Sequence, residues 1–163
     1  MQKIQKLMVV GGGQSLSLPE TFIRAFNDLY SRQALSSAGL AVGTTTTKFK
    51  IGNATYVILS GVLQLVASAD GPVLTGYNLT SAQVGGFVVT VDQNGAIYAL
   101  PLQPSASIGG VVWPVVPDTQ VAVGVVLINT TNAATFTGGT TLMSATNVSY
   151  LNIVGPFNPT NNV

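Results

Sequence analysis

Apolar residues in this chain recur at two different spacings. Between residues 17 and 37 the interval is helical. Phe22, Phe26, Leu29, Tyr30 and Gln33 fall on one face, while Arg24, Asp28 and Arg32 lie elsewhere. Ser17-Leu18-Pro19-Glu20 reads as a helix start, with a capping hydroxyl, a proline in the first turn and a glutamate at the third helical position. Gly39 marks a stop. An amphipathic helix is therefore predicted over 17–37. From about residue 45 the interval falls to two, and β-branched runs are broken by Gly, Asn, Pro and Thr.

The clearest of these β signals is FVVTVDQNGAIYAL at 87–100. Two apolar runs flank Asp92-Gln93-Asn94-Gly95, where Asn and Gly tolerate the positive φ of a tight turn, and the pattern predicts a hairpin. Upstream, 45–51, 55–59 and 62–68 read as three strands of a meander about Gly52-Asn53 and Ser60-Gly61. VAVGVVLI at 121–128 is nearly continuous in apolar residues, as in a strand covered on both faces, and is predicted to be central, with Gly124 as a bulge or point of close approach. Pro101, Pro104, Pro114 and Pro117 exclude a central strand between, so 101–120 reads as a long connection. Residues 129–141 read as a loop, 150–154 as a last strand and 157–163 as a polar tail. The fold expected is one mainly β domain over 38–156, a small antiparallel barrel or sandwich, with the helix and an extended arm over 1–16 ahead of it.

Composition changes this picture in one respect. Only 7% of the 163 residues are charged, against roughly 25% in an average soluble domain. The surface is left to Thr, Ser, Asn, Gln and Gly, and a surface of that kind points to partners. The charges are also segregated. All six basic residues (Lys3, Lys6, Arg24, Arg32, Lys48 and Lys50) precede residue 51, where only Glu20 and Asp28 oppose them, and the rest of the chain carries only Asp70, Asp92 and Asp118. Such an asymmetry either steers a basic arm onto the acidic body of a neighbouring copy or another acidic protein, or is chance among so few charges. No apolar run approaches the ~18 residues of a membrane helix, and 7–10 is too short for a secretory signal. The four Asn-x-Ser/Thr triplets, at Asn53, Asn78, Asn129 and Asn147, read as coincidence in a chain so rich in Asn and Thr.

The chain has no histidine and no cysteine, which removes the familiar nucleophile triads, thiol chemistry and most zinc sites. Its carboxylates have local uses. Asp92 and Asp118 are expected to bond backbone amides two residues on, and Arg24, Asp28 and Arg32 to form exposed pairs along the helix. No enzyme, metal or cofactor is expected, and the few basic residues have no aromatic platform for nucleic acid. Trp113, the only tryptophan, lies in Val111-Val112-Trp113-Pro114-Val115-Val116-Pro117. It serves either as an interface anchor or as a cap on its own domain. The aromatic stripe of the predicted helix must be covered, and Phe22, Phe26, Leu29, Tyr30 and Trp113 are the expected subunit-interface residues.

One stretch also carries a resemblance. Gly39-Leu40-Ala41-Val42-Gly43-Thr44, then Ala54-Thr55-Tyr56-Val57-Ile58 and Gly61-Val62-Leu63, is similar to a family of small tailed-bacteriophage virion proteins. Residues 84–99, Trp113-Pro114-Val115-Val116-Pro117 running into 121–126, and Phe136-Thr137-Gly138-Gly139-Thr140-Thr141-Leu142 resemble later portions of that family. Ala122 departs from it where proline is common, and the first 37 residues are not covered. The resemblance implies a capsid decoration or cement protein, a homotrimer made in the bacterial cytoplasm and seated on the virion surface between major capsid proteins. Its partners are then the major capsid protein and itself, with no nucleic acid and no membrane. On that reading the basic arm, with Lys3, Lys6, Leu7 and Val9, is the capsid-binding segment. The competing class is a head-fibre, tail or receptor-binding module that recognises host-surface glycans through Tyr77, Tyr98, Trp113 and the Asn/Thr loops.

Overall fold

A computed structural model of the chain describes residues 9–10, 14–15, 30–130 and 134–157. It is mainly β, and its sheets are antiparallel. The predicted 87–100 hairpin is present. β10 (Val84–Asp92) turns at Asp92 into β11 (Ile97–Pro101). On its other side β10 pairs with β12 (Gln120–Asn129), which pairs with β14 (Val148–Asn152). The strand predicted to be central from its unbroken apolar run is therefore an inner strand of the four-stranded sheet β11-β10-β12-β14.

Gly124 marks the bulge expected of it. Val89 pairs with Gly124 but Thr90 with Ala122, so Val123 is the extra residue on β12. The slip changes which side chains face which layer. Val121 and Val123 face one core, Val125 faces the other, and Val126 and Ile128 return to the first.

Those two cores explain why both inner strands can be apolar throughout. The larger one lies between the four-stranded sheet and a layer of smaller sheets. One of these is β3 (Arg32–Ala34), β6 (Thr55–Leu59) and β7 (Val62–Val66). Another is β4 (Ala41–Val42), β5 (Phe49–Ile51) and β8 (Ala69–Asp70). β9 (Asn78–Leu79) pairs with β13 (Phe136–Thr137), placing Leu79 opposite Phe136. Phe49, Ile51, Val57, Phe136 and Met143 are fully buried between the layers. The smaller core covers the opposite face, where Val84, Val88, Ala122 and Val125 meet Leu102, Val111 and Val116 from the proline-rich connection. That connection holds one short 3-10 turn, Ile108–Gly110, and isolated bridges at Ser105 and Val112. Near the amino terminus β1 (Val9–Val10) pairs with β2 (Gln14–Ser15) inside the expected arm.

Three expectations are corrected. Among the described residues no sheet closes into a barrel: the four-stranded sheet keeps two edges, and β11 ends at Pro101, which has no ladder donor to offer. The predicted helix does not run to residue 37. Of the described part of that span, 30–37, only Tyr30 and Ser31 are helical, and Arg32–Ala34 is a strand whose backbone pairs with Val57–Leu59 of β6. Long-range ladder bonds override the helical spacing there, and the rest of the predicted helix lies outside the described residues. The strand predicted over 45–51 shrinks to 49–51, because 44–48 is a turn held by Asp70.

Candidate interaction surface

The most exposed apolar strand is built from the β6–β7 hairpin. Ser60 and Gly61 take φ of +53° and +76°, the paired left-handed conformation of a two-residue type I′ turn. That turn sets the register, with Leu59 opposite Val62, Val57 opposite Gln64 and Thr55 opposite Val66. Thr55, Val57, Leu59 and Val66 are buried against the larger core. The intervening residues face away, and there Tyr56, Leu63 and Leu65 stay 49%, 61% and 54% exposed. Val62, at the tip, is 65% exposed. β7 pairs with β6 alone among the described residues, so it is a sheet edge. Its only polar side chain, Gln64, donates to the Gln93 carbonyl and ties this hairpin to the turn of the next.

A second feature flanks β11. A shallow groove of about 630 Å³ is lined by the 72–77 loop, Phe87 and the whole of 97–101. Tyr77 and Tyr98 both line it, but neither hydroxyl is idle. Tyr77 accepts from the Gly86 amide at 2.7 Å and donates to the Leu102 carbonyl at 3.3 Å. Its ring lies 4.3 Å from that of Phe87, and burial pushes its ionisation upward. Tyr98 donates to Asp92 at 3.0 Å. Asp92 also accepts the amides of Asn94 at 2.8 Å and Ala96 at 2.9 Å. Partial desolvation raises its pKa, but these donors together hold it below the ordinary carboxylate value.

The other carboxylates are likewise occupied. Asp70 accepts the Thr44 hydroxyl, the Thr44 amide at 2.9 Å and the Thr45 amide, and these bonds, the hydroxyl's first, hold its pKa below the ordinary value. Asp118 does not act as the self-bonding turn residue expected of it. It pairs at 2.9 Å with Arg32, which has left the predicted helical ladder for β3. Among the described residues no three carboxylate side chains gather as metal ligands, and no helix is long and apolar enough to cross a membrane.

The residues expected at an interface are dispersed. Lys3, Lys6, Leu7, Phe22, Phe26 and Leu29 lie outside the described residues. Val9 is in β1. Tyr30 is 53% exposed just before β3. Trp113 is half-buried against the smaller core, its ring 5.9 Å from Phe157 in an edge-to-face arrangement, so it covers its own sheet. It does not line the groove of Tyr77 and Tyr98.

Sequence reasoning placed β6 and β7 but missed their exposed face. Val62-Leu63-Gln64-Leu65-Val66 has almost no polar alternation, and such a run reads as a strand covered on both faces. The available signal was the conflict between that pattern and a position next to a tight two-residue turn. No protein-family model, curated protein or solved structure matches the chain.

Proposed function

We propose that this chain is a structural virion protein that binds the outside of a phage capsid as a homotrimer and stabilises it by bridging major capsid protein subunits. One observation carries most of the weight: the uncharged apolar face of Tyr56, Leu63 and Leu65, beside a strand edge that no other strand pairs among the described residues. Contiguous apolar surface of this kind marks contact with other proteins. The sparse charge of the whole chain and its resemblance to small phage virion proteins support the same reading. In it, the layered sheets form a sandwich-like body, and the basic arm with Lys3, Lys6, Leu7 and Val9 is the segment that binds the shell. Many equivalent seats make each weak contact effectively permanent.

The glycan-binding alternative draws on the groove, where Tyr77 and Tyr98 come together. It is weakened by the internal engagement of both hydroxyls and by the distant placement of Trp113. The test is to mix the purified chain with undecorated shells assembled from a phage major capsid protein and to sediment them. Decoration requires saturable co-sedimentation that is lost on deleting residues 1–16. Binding to glycans with no affinity for shells would instead establish the adhesion reading.

A further inference from the structure

We propose that two copies of this chain pair through β7, edge to edge and antiparallel, about a two-fold axis at Gln64. The inference does not rest on the capsid reading.

Three observations carry it. The first is sequence symmetry, because Val62-Leu63-Gln64-Leu65-Val66 reads the same in both directions. Antiparallel pairing with a second copy sets Leu63 opposite the other copy's Leu65 and Val62 opposite its Val66, while Gln64 meets itself. Residues directly opposite share a face of the sheet, so like meets like on both faces. The second is the direction of the backbone groups. The two-residue turn makes Leu59–Val62, Val57–Gln64 and Thr55–Val66 the hydrogen-bonded pairs. The amides and carbonyls of Leu63 and Leu65 therefore point away from β6, off the edge of the sheet. Pairing about Gln64 satisfies them with about four new backbone hydrogen bonds and leaves Gln64 in the closer, non-hydrogen-bonded position.

The third is charge and area. Neither β6 nor β7 contains Asp, Glu, Lys, Arg or His, so a charged partner finds nothing to pair with, while a second copy meets no repulsion. The devices that usually blunt an edge, such as lysine, proline or a bulge, are absent from β7. The exposed fractions of Val62, Leu63 and Leu65 on β7 itself amount to roughly 300 Å² per copy, a ceiling on what edge pairing covers and well under the ~800 Å² each partner contributes to a standard interface. The pair is consequently a weak one that forms as concentration rises. It joins two three-strand sheets into one of six strands, β3-β6-β7 followed by the same three in reverse.

The chain lacks cysteine, which makes the test direct. In Gln64→Cys the two thiols of a pair sit at the non-hydrogen-bonded position, where cross-strand spacing suits a disulfide. Mild oxidation of the full-length variant should yield a reducible covalent dimer at least tenfold faster than in Val62→Cys, whose partner position is Val66. Adding Leu63→Lys and Leu65→Lys to Gln64→Cys should remove that advantage. The native mass of the unmodified chain should double with concentration. Equal cross-linking of Gln64→Cys and Val62→Cys, or a native mass independent of concentration, would overturn the proposal. Should the lysine variant fail to fold, the comparison of the two single cysteines still decides, since both leave Leu63 and Leu65 in place.

Discussion

Gly86, Gly95 and Gly124 separate the two ways in which a glycine is required, and alanine substitutions measure them. Gly95 has a φ of +76° with open space where a Cβ would stand. Gly124 has an ordinary φ, but a Cβ there would overlap a methyl of Leu40 and lie 2.6 Å from the Leu151 carbonyl of β14. Gly86 combines both demands, with a φ of +141° and a Cβ that would overlap the Val126 carbonyl oxygen on β12. That oxygen belongs to a strand paired on both sides, so it cannot swing away as a side chain would. Gly95→Ala should cost only the left-handed backbone, about 1–2 kcal/mol. Gly124→Ala should cost about 1–3 kcal/mol for overpacking. Gly86→Ala adds strain, overlap and the loss of ladder geometry, about 4 kcal/mol or more. Thermal melts read the series directly, since each kcal/mol is worth about 2–4 °C in a domain of this size. The order should be Gly95, Gly124, Gly86, with Gly86→Ala at least about 10 °C below the parent or unfolded. A Gly86→Ala protein that melts with Gly95→Ala would refute the assignment of Gly86 to a close backbone crossing.

Burial pushes the pKa of Tyr150 up to about 12, and its hydroxyl donates to the Met143 carbonyl at 2.8 Å. Stability should therefore be constant below the ordinary tyrosine pKa of about 10 and fall as pH rises towards 12. Tyr150→Phe should flatten that alkaline slope in urea melts, and an unchanged slope would place the titrating group elsewhere. At the acid end the depressed pKa of Asp92 contributes stability that is complete above about pH 4 and is lost as pH falls through the lower folded value. Asp92→Ala should melt lower at neutral pH and lose less on acidification than the parent. Trp113→Ala should cost about 2–3 kcal/mol in a denaturant melt, as a half-buried core aromatic does. A neutral effect on stability would return Trp113 to the role of a surface anchor.

The sequence made the inner strands legible because several signals agreed there. Residues 84–92 and 97–101 had β-branched runs and a four-residue turn cluster whose Asp92 bonds its own loop as expected. Residues 120–129 had an apolar run too long to be half-exposed, with Gly124 at the point where the alternation slips. What stayed hidden was decided at long range. Nothing local distinguishes Arg32, Gln33 and Ala34 from the last turn of a helix, since their strand exists only by pairing with β6. The prolines of 101–117 correctly excluded a central strand, but they gave no indication that Leu102, Val111 and Val116 lie buried on the back of the sheet. The exposed face of β7 was masked for a related reason: a run that is apolar on both faces looks the same at an edge as at the centre.

The most direct test of the capsid reading is sedimentation of the chain with undecorated shells, scored for stoichiometry together with native mass. The account requires a species three times the 16.8 kDa chain mass at low concentration, saturable binding to the shells, and shells that withstand heat or osmotic shock better once coated. A monomer that leaves the shells unbound and unprotected would contradict it.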